Sequence, residues 1–319
     1  MTRWVGLPPQ SATRAMSEPA LVKSRTIAGR RDGPHLLITA GVHGDEYEPM
    51  AAVRQLLTEV DGDRLRGKLT LVAVVNEPAF ARGQRTAEDG LDLARTCPGR
   101  ADGSTTERIA HELSQLIRGA DYYVDLHTGG MVLNLLPLAG YALHSNPEIL
   151  AVQRRMARAF GLPVIWGTTA ELEGRSLSVA RDAGVPAIYV EWKGGGFDPS
   201  GVEAMVTGCQ AVMAELGMLE GRSPVNHPSI VAEDPRSGSG HMQICYPAPA
   251  AGFFEPKVAP GDHVVAGQRI GHVSDVLGDK QHDVLVQADG LVIGVRSVAR
   301  VEEGTALAVI INANLLEHS

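Results

Sequence analysis

The segment GVHGDE at residues 41–46 contains side chains that bind divalent metal ions in hydrolases. His43 and Glu46 are three positions apart, and at the opening of a helix this spacing places an imidazole and a carboxylate on one face. The same segment also suits a surface turn in which Asp45 or Glu46 caps the following helix. The spacing alone therefore leaves a metal site and a helix cap as alternatives.

A second histidine, His127, directly follows the apolar segment YYVDL at residues 122–126. Asp125 could accept a hydrogen bond from one ring nitrogen of His127 and so fix its tautomer, as carboxylates beside metal sites do. A lone histidine at a strand end is more often structural. Two histidines and one glutamate, however, form a donor set that holds catalytic zinc and leaves a fourth position for water.

Glu191 ends a third apolar segment, PAIYV at residues 186–190, and a glycine-rich loop follows it. A carboxylate at that position could take a proton from the attacking water and pass it to a leaving amine. Without a metal site, a simple ion pair of Glu191 with Lys193 or with an arginine would be the better interpretation. Glu191 is thus a candidate general acid/base whose role depends on the metal.

The three candidate segments belong to an alternation of apolar and amphipathic stretches. Strands are predicted at 36–40, 69–75, 122–126, 162–166 and 186–190, and helices at 49–60, 107–117, 148–160, 177–182 and 202–216. Apolar strands that alternate with helices indicate an α/β fold with a mostly parallel or mixed sheet flanked by helices. The carboxyl ends of parallel strands form sites in such sheets, so we expect the candidate residues at one edge.

The composition changes along the chain in a way that predicts three regions. Residues 1–30 read as an N-terminal arm, 31–222 as the α/β hydrolase domain, and 223–319 as a linker followed by a smaller all-β domain. The last region has short apolar pieces separated by Gly or Asp, which is typical of small β domains.

The overall composition narrows the class of partner. The 319 residues carry 29 Lys+Arg against 37 Asp+Glu, a net charge of −8, which argues against binding nucleic acid or an anionic membrane. The 3 cysteines form no CxxC motif, and we find neither a secretion signal nor an apolar run long enough to span a bilayer. We therefore expect a cytoplasmic protein, which could form a homo-oligomer.

Several of these segments together resemble the succinylglutamate desuccinylase/aspartoacylase family, relatives of the zinc carboxypeptidases. Besides GVHGDE, VDLHTGG and the late strand-end Glu191, the stretches NEPAFARGQR at 76–85 and DLARTCPG at 92–99 are similar to the family's NPxAxxxGxR and DLNRxFPG segments. The resemblance covers roughly residues 36–310. It implies a zinc carboxypeptidase-like α/β domain with one zinc ion per chain held by His43, Glu46 and His127, and Glu191 as general acid/base.

The resemblance also implies which arginines bind substrate. The family's substrate arginines correspond to Arg85 and Arg95, and a guanidinium binds a carboxylate through two hydrogen bonds. Arg175 is a candidate for a third, with Arg181 as its competitor. The family's asparagine before the second arginine is Ala94 here, so the identity of the substrate does not carry over.

The C-terminal region resembles the family's β domain and biotinyl/lipoyl-type barrel-sandwich domains, through EPKVAPGDHV at 255–264 and ADG at 288–290. Carriers of that type have an attachment lysine at a hairpin tip. The corresponding segment DKQHD at 279–283 has no Met-Lys pair. We therefore expect a structural cap or a lid over the site.

These observations predict a zinc-dependent amidohydrolase that removes the acyl group from an N-acyl amino acid or a related small N-acyl amine. The alternative is a metallocarboxypeptidase acting on short peptides. Against it, the added β domain would restrict long substrates, and Ala94 removes part of a carboxylate anchor. A third possibility is a non-catalytic binding or carrier module, which the complete set of candidate site residues disfavours.

Overall fold

We analysed a computed structural model of the chain, which describes residues 20–221 and 229–317. The described residues contain one nine-stranded sheet and two smaller sheets. The helices are α1 (Tyr47–Glu59), α2 (Glu77–Arg82), α3 (Thr105–Arg118), α4 (Pro147–Phe160), α5 (Ser176–Ala183) and α6 (Pro199–Glu215). The strands are β1 (Arg25–Ala28), β2 (Arg31–Ala40), β3 (Arg66–Val72), β4 (Tyr122–Thr128), β5 (Leu133–Leu135), β6 (Leu138–Ala142), β7 (Val164–Thr168), β8 (Ala187–Trp192), β9 (Ile230–Glu233), β10 (Gly252–Pro256), β11 (His263–Val264), β12 (Arg269–Ser274), β13 (Gln281–Leu285), β14 (Gly290–Arg296), β15 (Arg300–Val301), β16 (Ala308–Asn312) and β17 (Leu316–Glu317).

The large sheet has the strand order β1-β3-β2-β4-β8-β6-β7-β9-β17. Its central strands β3, β2, β4 and β8 run parallel to one another, and β6 then pairs antiparallel with β8. Strands β6, β7 and β9 are again parallel. The predicted α/β fold with a mixed sheet is therefore confirmed.

Helices cover both faces of this sheet. On one face α1, α4 and α6 pack together, and their apolar residues, such as Leu56, Met156 and Met205, join those of the strands in one core. On the other face Ile109 and Leu113 of α3 and Val179 of α5 form a second core. Apolar residues at helical spacing face the sheet in each case, which is why the sequence pattern identified these helices.

The C-terminal region forms the two smaller sheets, with the orders β13-β12-β10-β15 and β11-β14-β16. They enclose an apolar core that includes Phe254, Ile270, Val273 and Val292. The second sheet also contains β5, which pairs antiparallel with β14 although it follows β4 in the chain. One C-terminal sheet is thus hydrogen-bonded to β5, the strand that follows β4 and the predicted site residue His127.

The structure differs from the expected three regions at three points, one of which is β17, which lies in the predicted C-terminal β region but pairs with β9 in the large sheet. Strand β1 lies within the predicted arm and pairs with β3, and β9, beyond the predicted boundary at residue 222, pairs with β7 in the large sheet. Strands β1 and β9 have four residues each, which is too short for a clear local sequence pattern. Their pairing with neighbouring strands defines them. The rest of the predicted arm up to residue 19 and part of the predicted linker, 222–228, lie outside the described residues.

None of the described helices combines the length and the apolar character that crossing a bilayer requires.

Candidate metal centre and active site

The candidate residues meet at the carboxyl ends of the central parallel strands. His43 follows β2, His127 lies on β4 and Glu191 lies on β8. His127 and Glu191 are register partners across β4 and β8. The parallel sheet therefore brings together side chains that are far apart in sequence, as the pattern of strands predicted.

His43, Glu46 and His127 form a buried cluster around one carboxylate. The Nδ1 atom of His43 lies 2.7 Å from one Glu46 oxygen, and the Nδ1 atom of His127 lies 2.9 Å from the other. One ligand atom from each residue falls within 4.8 Å of the other two, so a single ion could contact all three. Burial would raise the pKa of Glu46, but the two imidazoles lower it well below its usual range.

The local geometry of the HxxE segment is a turn, which differs from the predicted helical face. Helix α1 begins at Tyr47, so His43 and Glu46 both precede it. Glu46 occupies the N-cap position, yet its side chain makes no capping hydrogen bond, because its two oxygens face the histidines. The helical reason for the spacing was therefore wrong, although the two side chains do meet.

Each histidine also faces a second carboxylate with its other ring nitrogen. The Nε2 atom of His127 lies 3.2 Å from Asp125, and the Nε2 atom of His43 lies 3.2 Å from Asp92. Asp125 additionally accepts hydrogen bonds from Thr39 and Ser176. Asp92 was not identified as a site residue from the sequence, because that segment was considered only for Arg95. Its signal was the DLAR stretch itself, with an acidic residue beside a substrate arginine.

This donor set fits a zinc ion. Two imidazole nitrogens and one carboxylate are typical ligands of catalytic zinc, and carboxylates on the far side of each imidazole fix the tautomer that binds metal. His43, Glu46 and His127 are all buried, at 4%, 2% and 8% exposure, so an ion there would be shielded from bulk water except through the adjoining cavity.

Glu191 is buried beside the cluster and lines the same cavity. Burial raises its pKa to about 8, and the neighbouring Glu46 carboxylate adds to this effect. A carboxyl group that exchanges its proton near neutral pH has the property that a general acid/base requires.

Arg85 is already paired with a carboxylate. Its Nε and Nη2 atoms lie 3.2 and 2.9 Å from the same oxygen of Asp92, and Nη1 lies 3.9 Å from Glu46. Burial would lower the pKa of Arg85, but these two carboxylates raise it. Arg85 thus lies beside the candidate metal ligands, and the carboxylates of Asp92 and Glu46 largely balance its charge.

Arg95 and Arg175 have no carboxylate partner among the described residues. Arg95 donates to the Ala94 carbonyl at 2.6 Å and to the Gln243 side chain at 2.5 Å. Arg175 donates to the Gly240 carbonyl at 3.2 Å, and its buried Nε atom lacks a partner. Burial, together with the nearby charge of Arg95, lowers the pKa of Arg175 to about 10. Two close, unneutralised guanidinium groups favour an anionic ligand.

Arg181, the competitor of Arg175, differs in its partners. It forms ion pairs with Glu173 at 2.7 Å and Asp182 at 2.8 Å, and it donates to the Ala170 carbonyl. Its charge is therefore used within the protein. Of the two arginines, Arg175 is the one free to bind a substrate anion.

The loop before α5 brings Arg175 close to Arg95. Gly174 accepts a hydrogen bond from the amide of Cys97 at 2.9 Å. A side chain at Gly174 would lie 2.5 Å from the Arg95 carbonyl oxygen, and its φ of +78° also favours glycine. The close approach of the two loops therefore depends on this glycine.

A single cavity joins the metal cluster to the arginines. The residues that line it include His43, His127 and Glu191 together with the four arginines, and Ala142, Leu172, Leu177 and Met242 supply apolar surface. Among the described residues that line it, Glu191 is the acidic one. The cavity thus combines a metal-type donor set, a general acid/base candidate and a cationic wall.

Comparisons with known proteins agree with this arrangement. The model of the "Succinylglutamate desuccinylase/Aspartoacylase catalytic domain" matches residues 32–216. The N-alpha-acetyl-L-2,4-diaminobutyric acid deacetylase of Halomonas elongata is 32% identical over 89% of this chain and 84% of its own length. A succinylglutamate desuccinylase of Pseudomonas aeruginosa is 27% identical, but the match spans 53% of this chain and 46% of that protein.

Two solved structures share the fold along most of both chains. A succinylglutamate desuccinylase/aspartoacylase from Rhodobacter sphaeroides has a TM-score of 0.82 and 26% identity, covering 93% of this chain and 89% of that one. The product-bound ectoine utilization protein EutE (DoeB) from Ruegeria pomeroyi also has a TM-score of 0.82 at 26% identity, covering 90% and 87%.

Proposed function

Because the chain belongs to the succinylglutamate desuccinylase/aspartoacylase family, we propose that it is a zinc-dependent deacylase that hydrolyses the amide bond of a small N-acyl amino acid. One observation carries the proposal: the two histidines that meet Glu46 line a cavity that Glu191 and two arginines without a carboxylate partner among the described residues also line. A metal-type donor set and an anion site so close together suit a substrate with an amide next to a carboxylate.

His43, Glu46 and His127 would hold one zinc ion per chain. When bound there, zinc polarises an amide carbonyl and lowers the pKa of water. Asp92 and Asp125 accept hydrogen bonds from the far ring nitrogens, which keeps both imidazoles oriented toward Glu46.

Glu191 would move the proton. It takes a proton from the attacking water and donates it to the nitrogen of the leaving amino acid, which must be protonated before the C–N bond breaks. Burial raises its pKa to about 8, which favours the second half of this transfer, the donation of the proton to the amine. Its position beside His127 on the neighbouring strand keeps it within the reacting end of the cavity.

Arg85 would stabilise the developing negative charge on the carbonyl oxygen. The sequence assigns it to the substrate carboxylate, but its pairing with Asp92 and its approach to Glu46 favour the reacting end of the cavity. A fixed cation at that end stabilises the transition state more than the ground state.

Arg95 and Arg175 would bind the carboxylate of the amino acid. Both guanidinium groups line the cavity and have no carboxylate partner among the described residues. A single carboxylate between them would neutralise part of their mutual repulsion and satisfy donors such as the Nε atom of Arg175.

A deacylase is favoured over a metallocarboxypeptidase because the C-terminal region contributes to the cavity wall. Gly240, Met242 and Gln243 line it from the segment that leads to the small sheets. A wall on this side limits the length of the substrate, so we propose that this segment, which leads to the C-terminal sheets, acts as the cap; none of the described residues of those sheets lines the cavity itself. A carrier role would use the exposed Lys280, but the complete set of candidate site residues favours catalysis.

Metal analysis and a substrate screen test the function together. We expect purified protein to contain close to one zinc ion per chain and to release free amine from one or more N-acetyl, N-succinyl or longer N-acyl amino acids. Chelation should abolish this activity and added zinc should restore it. Release of amino acids from the carboxyl end of unblocked peptides, with none from N-acyl amino acids, would favour the peptidase instead.

A further inference from the structure

Gln243 lies in the cavity although it comes from a distant part of the chain. It belongs to a short 3-10 helix, Met242–Ile244, between the large sheet and the C-terminal sheets. Its Oε1 atom accepts a hydrogen bond from Nη2 of Arg95 at 2.5 Å, a contact between residues 148 positions apart. No sequence pattern pointed to Gln243.

The segment that carries Gln243 is held firmly against the large sheet. The amide of Asp234 donates to the Gly167 carbonyl at 2.8 Å, and Ser239 accepts a hydrogen bond from the amide of Thr169 at 2.7 Å. Gly240 has a φ of +77°, and a side chain on it would lie 2.8 Å from Thr168. Met242 is buried among apolar residues of β5 and β7. The position of Gln243 is therefore fixed by its neighbours.

The two ends of the Gln243 amide have different partners. Arginine can only donate, so Oε1 must face Arg95, and the NH2 group is left with no hydrogen-bond partner among the described residues. The side chain is among the residues that line the cavity and is itself exposed, so its NH2 group is open to an incoming ligand. An amide donor beside a guanidinium forms a two-group binding site for a carboxylate.

We propose that Gln243 is a specificity-determining residue that binds the substrate carboxylate together with Arg95, so that the segment leading to the C-terminal sheets completes the substrate site. The inference rests on the function proposed above. Oε1 of Gln243 orients the guanidinium of Arg95, and its NH2 group adds a further donor to the carboxylate that Arg95 and Arg175 bind. The ligand class is a monocarboxylate on the amino-acid half of the substrate.

Two variants test this role. Gln243→Leu keeps the volume but removes both hydrogen bonds, and Gln243→Glu keeps the contact with Arg95 but turns the remaining group into an anion. Ile244→Ala, in the same short helix, is the matched control, because Ile244 is 57% exposed and does not line the cavity. Each protein is assayed on an N-acetyl amino acid and on the same compound with its carboxylate blocked as an amide.

We expect Gln243→Leu to raise KM for the free acid by roughly 10- to 100-fold, the cost of one hydrogen bond to a charged group, with kcat changed by less than about threefold. Gln243→Glu should raise it further, because its carboxylate competes for Arg95 and repels the substrate. Neither variant should affect the blocked amide by more than about threefold, and Ile244→Ala should match the wild type on both compounds. Equal losses on acid and amide, or an unchanged KM, would overturn the proposal.

A binding measurement separates this inference from the proposed function. If the wild type hydrolyses no N-acyl amino acid, the proposed function fails, and N-acetyl-L-alanine is then titrated calorimetrically into wild type and Gln243→Leu. Weaker binding to the variant by about tenfold would still support Gln243 as a carboxylate ligand. Equal binding, or no binding to either protein, would reject it. A variant with a lowered unfolding temperature is replaced in this comparison by Gln243→Glu.

Discussion

His127 and Glu191 lie side by side as register partners on the adjacent parallel strands β4 and β8. A candidate metal ligand and the candidate general acid/base are therefore spaced by the hydrogen bonds of the sheet, not by a mobile loop. Their side chains leave the sheet at the same edge, where the cavity begins. This arrangement makes the distance between metal and proton acceptor insensitive to loop motion, and it gives the first prediction.

Glu191→Gln should lower kcat by about 10²- to 10⁴-fold, because the amide keeps the volume but cannot accept the proton. Zinc content should stay at the wild-type value, since Glu191 is not among the three proposed ligands. Glu203→Gln, on the exposed side of α6, serves as the control. A Glu191→Gln enzyme within about threefold of wild type would exclude Glu191 from proton transfer.

His127→Ala should remove most of the zinc, because the two remaining ligands cannot complete the donor set. The measurement is zinc per chain by mass spectrometry of purified protein. His263→Ala, which changes an exposed histidine on β11, should retain the metal. Stoichiometric zinc in His127→Ala would show that the ion binds elsewhere.

Arg85 and Arg175 should respond differently when the substrate carboxylate is blocked. Arg85→Ala should lower kcat by about 10²- to 10³-fold on both the free acid and the amide, because it stabilises charge at the carbonyl. Arg175→Leu should raise KM for the free acid by roughly 10- to 100-fold and spare the amide.

Two further variants sharpen that comparison. Arg85→Lys should recover part of the lost rate, since an ammonium supplies the charge but not the planar pair of donors. Arg181→Leu should leave KM near the wild-type value, because the Arg181 charge is balanced by Glu173 and Asp182. If Arg85→Ala harmed only the free acid, Arg85 would belong to the carboxylate site after all.

Substrates with a cationic side chain should be poor. The described residues that line the cavity include one acidic residue, Glu191, beside several arginines, so an ammonium group would lack a carboxylate partner. We expect kcat/KM for N-acetyl-L-2-aminobutyrate to exceed that for N-acetyl-L-2,4-diaminobutyrate by on the order of tenfold. The reverse preference would ally this chain with its Halomonas elongata relative in substrate as well as in sequence.

Asp89 should stabilise the loop that carries Arg85 and Asp92, in a pH-dependent way. Its carboxylate accepts hydrogen bonds from the amide and hydroxyl of Thr106 at 2.8 and 2.7 Å and from the hydroxyl of Ser104 at 2.7 Å. Partial burial opposes ionisation, but these donors hold the pKa of Asp89 below its ordinary value. Asp89→Asn should lower the free energy of unfolding at pH 7 by about 1 kcal/mol.

The sign of the pH dependence follows from the lowered pKa. The stabilisation is complete above the unfolded-state pKa of about 3.9, and it is lost as pH falls through the lower pKa of the folded state. Urea unfolding of wild type and Asp89→Asn should therefore differ most near neutral pH and converge in acid. Asp102→Asn, an exposed position, is the control. A pH of about 3 lies roughly one unit below the unfolded-state pKa. If the two proteins still differed in their free energy of unfolding by the full amount below that pH, the carboxylate of Asp89 would not be the origin of the difference.

The helices and the parallel strands could be predicted because each has a local pattern. Met50, Val53 and Leu56 repeat at helical spacing in α1, and the run at 36–40 is apolar except for Thr39 and is closed by Gly41. Strand β6 was missed because its five residues, LAGYA, contain a central glycine and no β-branched residue, and its antiparallel pairing with β8 makes the sheet mixed.

The site residues that belong to a local sequence motif could be predicted. Those that act through a contact with a residue far away in the sequence could not. His43, Glu46 and His127 belong to recognisable segments, and strand ends predicted their meeting. The pairing of Asp92 with His43 and of Gln243 with Arg95 joins residues 49 and 148 positions apart, and no local pattern encodes such a contact. The roles proposed for Arg85 and Arg175 likewise depend on which carboxylates lie beside them.

The pairing of β5 with β14 has a consequence for how this protein could be recombined with its relatives. Strand β5 comes directly after the loop that follows β4 and its residue His127. Its hydrogen-bond partner, β14, nevertheless lies in a C-terminal sheet. A chimera that exchanged the C-terminal sheets alone would leave β5 facing a foreign strand. The transferable module is therefore discontinuous, and a successful graft would have to carry Leu133–Leu135 together with the sheets it completes.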